Sequence, residues 1–224
     1  MQLSYAEMVE ALAKMNHVHP PAMGAFRAKL RKLQGEGIPG DVNPGKGKRV
    51  NYTLPLLIEA TVAVELLQMG WSAPQAAALI RSQRDEIFLA CLLAVVPRRP
   101  PDKDVFLLIS PEALFSPSPV AGGGQPIGAM SFVSRKRLAD VFGLETRISP
   151  LTGDLWRWSV IDLSIMMLIM MGCIELVGRS QAEILDDLRD AILEHGEAVR
   201  QFGKARLDVI VGERRKAIDD GINS

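Results

Sequence analysis

The sequence predicts a mainly helical chain with a smaller α+β part, and three observations carry that prediction. Helix-start chemistry recurs in the first hundred residues, apolar residues there repeat every three or four positions, and most of the short strand-like runs fall within residues 105–161. With 224 residues, 48% hydrophobic and 23% charged, the chain can bury a substantial core as one domain or two modest ones.

Ser4-Tyr5-Ala6-Glu7 opens the first helix as a capping box, in which hydroxyl and carboxylate satisfy amides that a helix start leaves without partners. That helix runs to about Met15. Residues 16–20 break the pattern, and Pro21 suits the first turn of a second helix reaching about Gln34. Along it Ala22, Phe26, Leu30 and Leu33 form one apolar face, and the other side is basic. Residues 35–52 hold five glycines and two prolines and end in Val50-Asn51-Tyr52, the composition of a tight β-hairpin. Thr53 is placed to cap a third helix through Met69, which Gly70 ends in the position where a left-handed conformation is usual. Ser72 and Gln75 form a second capping box, opening a fourth helix that continues into the apolar residues 87–96.

The stiff, polar stretch 97–102 (PRRPPD) marks the expected domain boundary, separating residues 1–97 from a small α+β domain over 103–178. Residues 105–110 and 129–133 read as strands, 134–142 as a helix, and 155–161 as a third strand leading through Asp162, as cap, into a Met-rich helix. The run LSIMMLIMMG at 163–172 is far shorter than the roughly 20 apolar residues of a membrane span. It reads as a buried helix or an oligomer contact. Over 179–224 a long amphipathic helix begins near Ser180, and Leu185, Leu188, Ile192, His195, Val199 and Phe202 step along it in heptad fashion. Homodimerisation through Leu185, Leu188, Ile192, Val199 and Phe202, or packing on its own domain, both fit that seam. Cys91 and Cys173 lie in apolar runs and read as buried, reduced thiols of a cytosolic protein.

Net charge is zero, so bulk charge selects no partner. Distribution is more informative: residues 1–100 carry 12 basic against 8 acidic side chains, and the rest carry 14 against 18. Residues 20–52 contain Arg27, Lys29, Arg31, Lys32, Lys46, Lys48 and Arg49 against Glu36 and Asp41 alone. Four cations project from one helix, and three sit on a glycine-flanked hairpin just beyond it. A helix of this kind fits the major groove, and a basic hairpin fits the neighbouring backbone or minor groove. A winged helix-turn-helix is therefore the expected architecture of the N-terminal part. GKGKR lacks the Lys-Ser/Thr ending and following helix of a phosphate-binding loop, since Arg49-Val50 follows.

Three stretches carry a resemblance to a known family: Leu30-Arg31 through Gly37-Ile38-Pro39; Gly47-Lys48-Arg49-Val50-Asn51-Tyr52; and residues 54–69 with Gly70-Trp71-Ser72 and 76–80. Together, residues 4–80 resemble the N-terminal domain of the MerR family of transcription regulators, about a third of the chain. The resemblance implies DNA binding as a dimer, with Arg31 and Arg49 on phosphates, Tyr52 supporting the wing and the face around Arg27 reaching bases. Asn51 belongs to the same candidate surface. Lys32-Leu33 stands where the family has a tyrosine pair, and residues 98–101 interrupt its usual coiled coil.

No nucleophile elbow, metalloprotease motif or glycine-rich phosphate motif is present, and His17, His19 and His195 are the chain's three histidines. The expectation is a non-catalytic regulator without cofactor or metal, bacterial, cytoplasmic, and at the nucleoid when bound. Its expected partners are double-stranded DNA and a second copy of the chain, with RNA polymerase or another regulator as an open alternative and no membrane. Two rival readings stand beside it. One is an adaptor of phage or prophage type that assembles proteins; the other is a ligand sensor in which Trp156 and Trp158 line a pocket or an interface.

Overall fold

A computed structural model describes residues 1–40, 50–96, 104–109, 130–135, 138 and 159–208, the last three as backbone. In chain order it contains α1 (Tyr5–Met15), a 3-10 turn (Pro20–Ala22), α2 (Met23–Gly35), α3 (Leu54–Gln68), α4 (Ala73–Ser82) and α5 (Arg84–Ala94). Then come β1 (Val105–Ile109), β2 (Met130–Ser134), β3 (Ser159–Asp162), α6 (Leu163–Glu175), α7 (Gln181–Glu194), α8 (Gly196–Phe202) and a last turn (Gly203–Asp208). Among the described residues the chain is mainly α-helical, with one three-stranded antiparallel sheet.

Local chemistry explains most helix ends. The expected capping boxes form at Ser4 with Glu7 and at Ser72 with Gln75, and a third forms at Ser180 with Glu183. Thr53 takes the N-cap position of α3 without a side-chain bond. Four helices end at a residue in the left-handed region: His17 (φ 50°), Gly37 (80°) and Gly70 (93°) directly after the cap, and Gly178 (96°) two residues after it. In each, the next amide reaches back to the helix, as Val18 to Ala13, Ile38 to Leu33, Trp71 to Leu66 and Arg179 to Ile174, closing carbonyls that would otherwise lack donors.

The sheet order is β2-β1-β3, with Leu107 of the central strand opposite both Phe132 and Ile161. Val105, Leu107 and Ile109 face the main core, while Phe106 and Leu108 pack with Val133 and Leu138 on the other side. Burial on both faces accounts for the unbroken apolar run VFLLI. α6 packs on α1, α5 and β1, and α8 packs on α5. Phe132 meets Phe202 edge-on, with ring centroids 5.4 Å apart, and Phe88 meets His195 in the same manner at 5.3 Å.

Several expectations change. The fourth helix is two, because the chain turns at Gln83 and restarts at Arg84. The C-terminal helix likewise breaks at His195 ahead of Gly196, a residue that weakens helices. Leu188, Val199 and Phe202 are buried inside the protomer and Ile192 packs against its core, leaving Leu185 alone of the expected dimer seam exposed. The seam is therefore filled by the chain's own core, the second of the two readings it allowed. β1 and β2 match the expected strands to within a residue, and the third is described over Ser159–Asp162, the expected residues 155–158 lying outside the described ones. Ser134 ends β2 instead of opening the helix expected at 134–142, and the boundary at 97–102, the rest of that helix apart from Arg135 and Leu138, and Trp156 and Trp158 lie outside the described residues. One contiguous hydrophobic core nevertheless runs from Leu3 to Phe202, joining the parts expected on either side of that boundary. No helix among the described residues is long and apolar enough to cross a membrane.

Both cysteines are free and buried, and burial pushes the Cys91 thiol up to about 12 and raises that of Cys173. Because the thiolate is the reactive species, neither should react with a thiol-specific reagent in the folded protein, and both should react once it is unfolded in denaturant. Titration with and without guanidinium checks this.

Candidate nucleic-acid interface

The surface of α2 divides cleanly. Phe26, Leu30 and Leu33 are buried, and Arg27, Lys29, Arg31 and Lys32 are exposed. At about 100° per residue, Arg27 and Arg31 fall on one rim of the exposed face and Lys32 and Lys29 on the other. Gly24, Ala28 and Gly35 lie between the rims. A Cβ added at Gly24 or Gly35 would meet nothing within 4 Å, so no contact inside the protomer calls for glycine there. None of the four cations has an ion-pair partner among the described residues.

Several polar contacts fix the C-terminal end of α2. Gln34 donates from Nε2 to the Tyr52 hydroxyl at 2.8 Å, tying the helix to the chain segment that returns from residues 41–49. Tyr52 exchanges both backbone hydrogen bonds with Leu3, at 2.9 and 2.7 Å. Arg81 of α4 donates to the Glu36 carbonyl at the α2 cap. Deepest is Glu59 of α3, whose side chain is 6% exposed: Oε2 accepts from the Gly40 amide at 2.5 Å and Oε1 from Arg84 Nε at 2.8 Å. Gly40 sits at φ 58°, and a Cβ there would overlap Leu56 Cδ2 unless that side chain moved, so glycine is favoured where the chain leaves for residues 41–49.

The expected site residues thus separate into three groups. Arg27, Lys29, Arg31 and Lys32 share one exposed helix face, and Asn51 is exposed close to Tyr52 in the chain. Tyr52 itself is 1% exposed and held by Gln34, so among the residues grouped as the DNA-binding surface it is placed as a buried support, the role the resemblance implies for it, and not as a contact. Lys46, Lys48 and Arg49 lie outside the described residues. His17 and His19 are exposed in the turn ahead of α2. Sequence reasoning missed the residues that hold the face in place: Gln34, Glu59, Arg81 and Arg84. Glu59 left a signal, being a charged residue in the midst of the apolar stretch LPLLIEATVAV.

Removing a buried ion-pair partner ordinarily costs about 3–5 kcal/mol. Arg84 is 39% exposed, and water takes up part of that loss. Glu59→Ala should therefore destabilise the fold by about 2–3 kcal/mol and Glu59→Gln by about half as much, measured by urea denaturation. No protein-family model, curated protein or solved structure matches the chain.

Proposed function

We propose that this protein is a non-catalytic, sequence-specific binder of double-stranded DNA, a transcription regulator of winged helix-turn-helix type that acts as a dimer. One observation carries the reading: four cations without ion-pair partners among the described residues occupy a single face of α2, and that helix is held rigidly to the body. Lys46, Lys48 and Arg49 follow in sequence, between the anchored Gly40 and the anchored Tyr52. On this reading α1 and α2 are the helix pair, α2 enters the major groove, the rims of Arg and Lys engage phosphates on its two walls, and the segment 41–49 is the wing. The small residues between the rims favour close approach of the helix to base edges. The adaptor reading retains one observation of its own, the exposed apolar side of α6.

Titration of fluorescent duplex DNA over a salt series tests the proposal. Each of Arg27→Ala, Arg31→Ala and Arg49→Ala should weaken binding and reduce the salt slope by about one for each phosphate that the variant no longer neutralises. For Arg27 and Arg31 the unfolding midpoint should not move, since both side chains are exposed. Absence of duplex binding by the wild type, or unchanged slopes in all three variants, would refute it.

Gly24 supplies a second test. Gly24→Gln should stabilise the protein by about 0.5–1 kcal/mol through helix propensity, while lowering duplex affinity about tenfold by placing a side chain between the rims. Calorimetry and the same titration read the two effects separately.

A further inference from the structure

Beside the lysine rim of α2 lies a pocket for which DNA binding has no use. Its volume is about 150 Å³, and it sits where the turn after α1 meets α2 and α3. Val18, Phe26, Leu30, Val64 and Leu67 are its apolar lining, and Asn16, Lys29 and Gln68 its polar lining. Phe26, Leu30 and Val64 are buried, whereas Lys29 and Gln68 are exposed, so an apolar floor lies under a polar mouth.

Size and charge together set the class of ligand. An apolar cavity of about 150 Å³ takes a benzene-sized body, because its walls give water no hydrogen bonds to hold it there. Lys29 is the single charged residue among those lining the pocket, none of which is acidic. It also has no ion-pair partner among the described residues. We infer that the pocket is a binding site for a small monocarboxylate with a ring-sized apolar body, the ring against Phe26, Leu30 and Val64 and the carboxylate on the Lys29 ammonium.

Part of the mouth is fixed before any ligand arrives. Asn16 donates from Nδ2 to the Leu12 carbonyl at 2.7 Å, and its Oδ1 accepts from Gln68 Nε2, which ties the cap of α1 to the end of α3. Gln68 Nε2 has a second hydrogen, a donor for one carboxylate oxygen while Lys29 takes the other. His17 stands in the left-handed region at φ 50°, and the Val18 amide returns to the Ala13 carbonyl at 2.9 Å, which sets the Val18 side chain as a wall. Only the lysine has to be ordered when a ligand binds, and its long stem lets the ammonium serve either the pocket or the outer face of α2.

Occupancy would act on DNA binding, a consequence that rests on the proposed function. A carboxylate on Lys29 competes with phosphate for the same ammonium, so ligand and duplex antagonise each other, and by linkage each weakens the other to the same degree.

The pocket is tested first on the full chain without DNA, by methyl NMR with benzoate as the probe. Benzoate at millimolar concentration should shift the methyl resonances of Val18, Leu30, Val64 and Leu67 saturably. Benzyl alcohol, with the ring but no charge, and acetate, with the charge but no ring, should each bind at least about tenfold more weakly. Lys29→Gln, at an exposed position, should weaken benzoate about tenfold and leave benzyl alcohol and the melting temperature unchanged. No saturable shift, saturable shifts confined to other residues, equal binding of acetate, or unchanged benzoate affinity in Lys29→Gln would overturn the inference. Duplex titration at constant ionic strength then reads the antagonism: saturating benzoate should weaken duplex binding by the wild type and leave that of Lys29→Gln unaffected. Unchanged duplex affinity in a wild type that binds benzoate would overturn the antagonism, and a wild type that binds benzoate but no duplex would refute the proposed function while leaving the pocket established.

Discussion

The carboxylate of Glu59 is the joint on which the basic face depends. It is buried among apolar helices, where an unpaired charge costs several kcal/mol, and its two oxygens hold elements that are distant in sequence. One oxygen takes the Gly40 amide, at the point where the chain leaves the end of α2, and the other takes Arg84, at the start of α5. The break between α4 and α5 acquires its reason here. A continuous helix through Gln83 would have met the expectation from sequence, but the turn at Gln83 sets Arg84 at a helix start from which its guanidinium reaches Glu59. Arg81, just before the turn, closes the α2 carboxyl end. One acidic side chain and two arginines thereby fix the direction in which α2 presents its cations.

Rigidity at this place has a physical use. A polyanion is recognised by cations held in a fixed array, because side chains that must be ordered on binding spend interaction energy on lost entropy. The Arg and Lys side chains are flexible at their tips, yet their Cα positions are set by Phe26, Leu30 and Leu33 beneath them and by the contacts at Gln34, Glu36 and Gly40. The sequence invests in positioning the helix and leaves its outer surface bare.

How much was legible in the sequence follows from how local each cause is. Capping boxes and left-handed glycines act within five or six residues, and so Ser4, Ser72 and Gly70 announced helix ends that the structure contains. The Ser180-Gln181-Ala182-Glu183 box carried the same signal. The strands at Val105 and Met130 were readable from their apolar runs. Long-range partners were not. Nothing near Glu59 in sequence names Gly40 or Arg84, and the heptad spacing of Leu188, Val199 and Phe202 describes a core-facing helix as well as a dimer seam. Periodicity identifies an apolar face without saying which surface covers it. In the candidate site the four cations of α2 were legible because solvent exposure of Lys and Arg is the ordinary outcome, whereas the burial of Tyr52 depended on its pairing with Leu3, some fifty residues away.

The shared core has a consequence for how the protein can be divided. Met8, Val9 and Leu12 of α1 belong to the same apolar body as Met167 and Met170 of α6, and Glu7 is joined to Arg179 across it. The basic half is consequently not a portable cassette. Severed near residue 97, it would carry away a raw hydrophobic flank, so shuffling it onto other partners would require that flank to be rewritten as surface. Strain or an induced shift at α6 would also be felt at α1 directly, through packed side chains, without a hinge to absorb it.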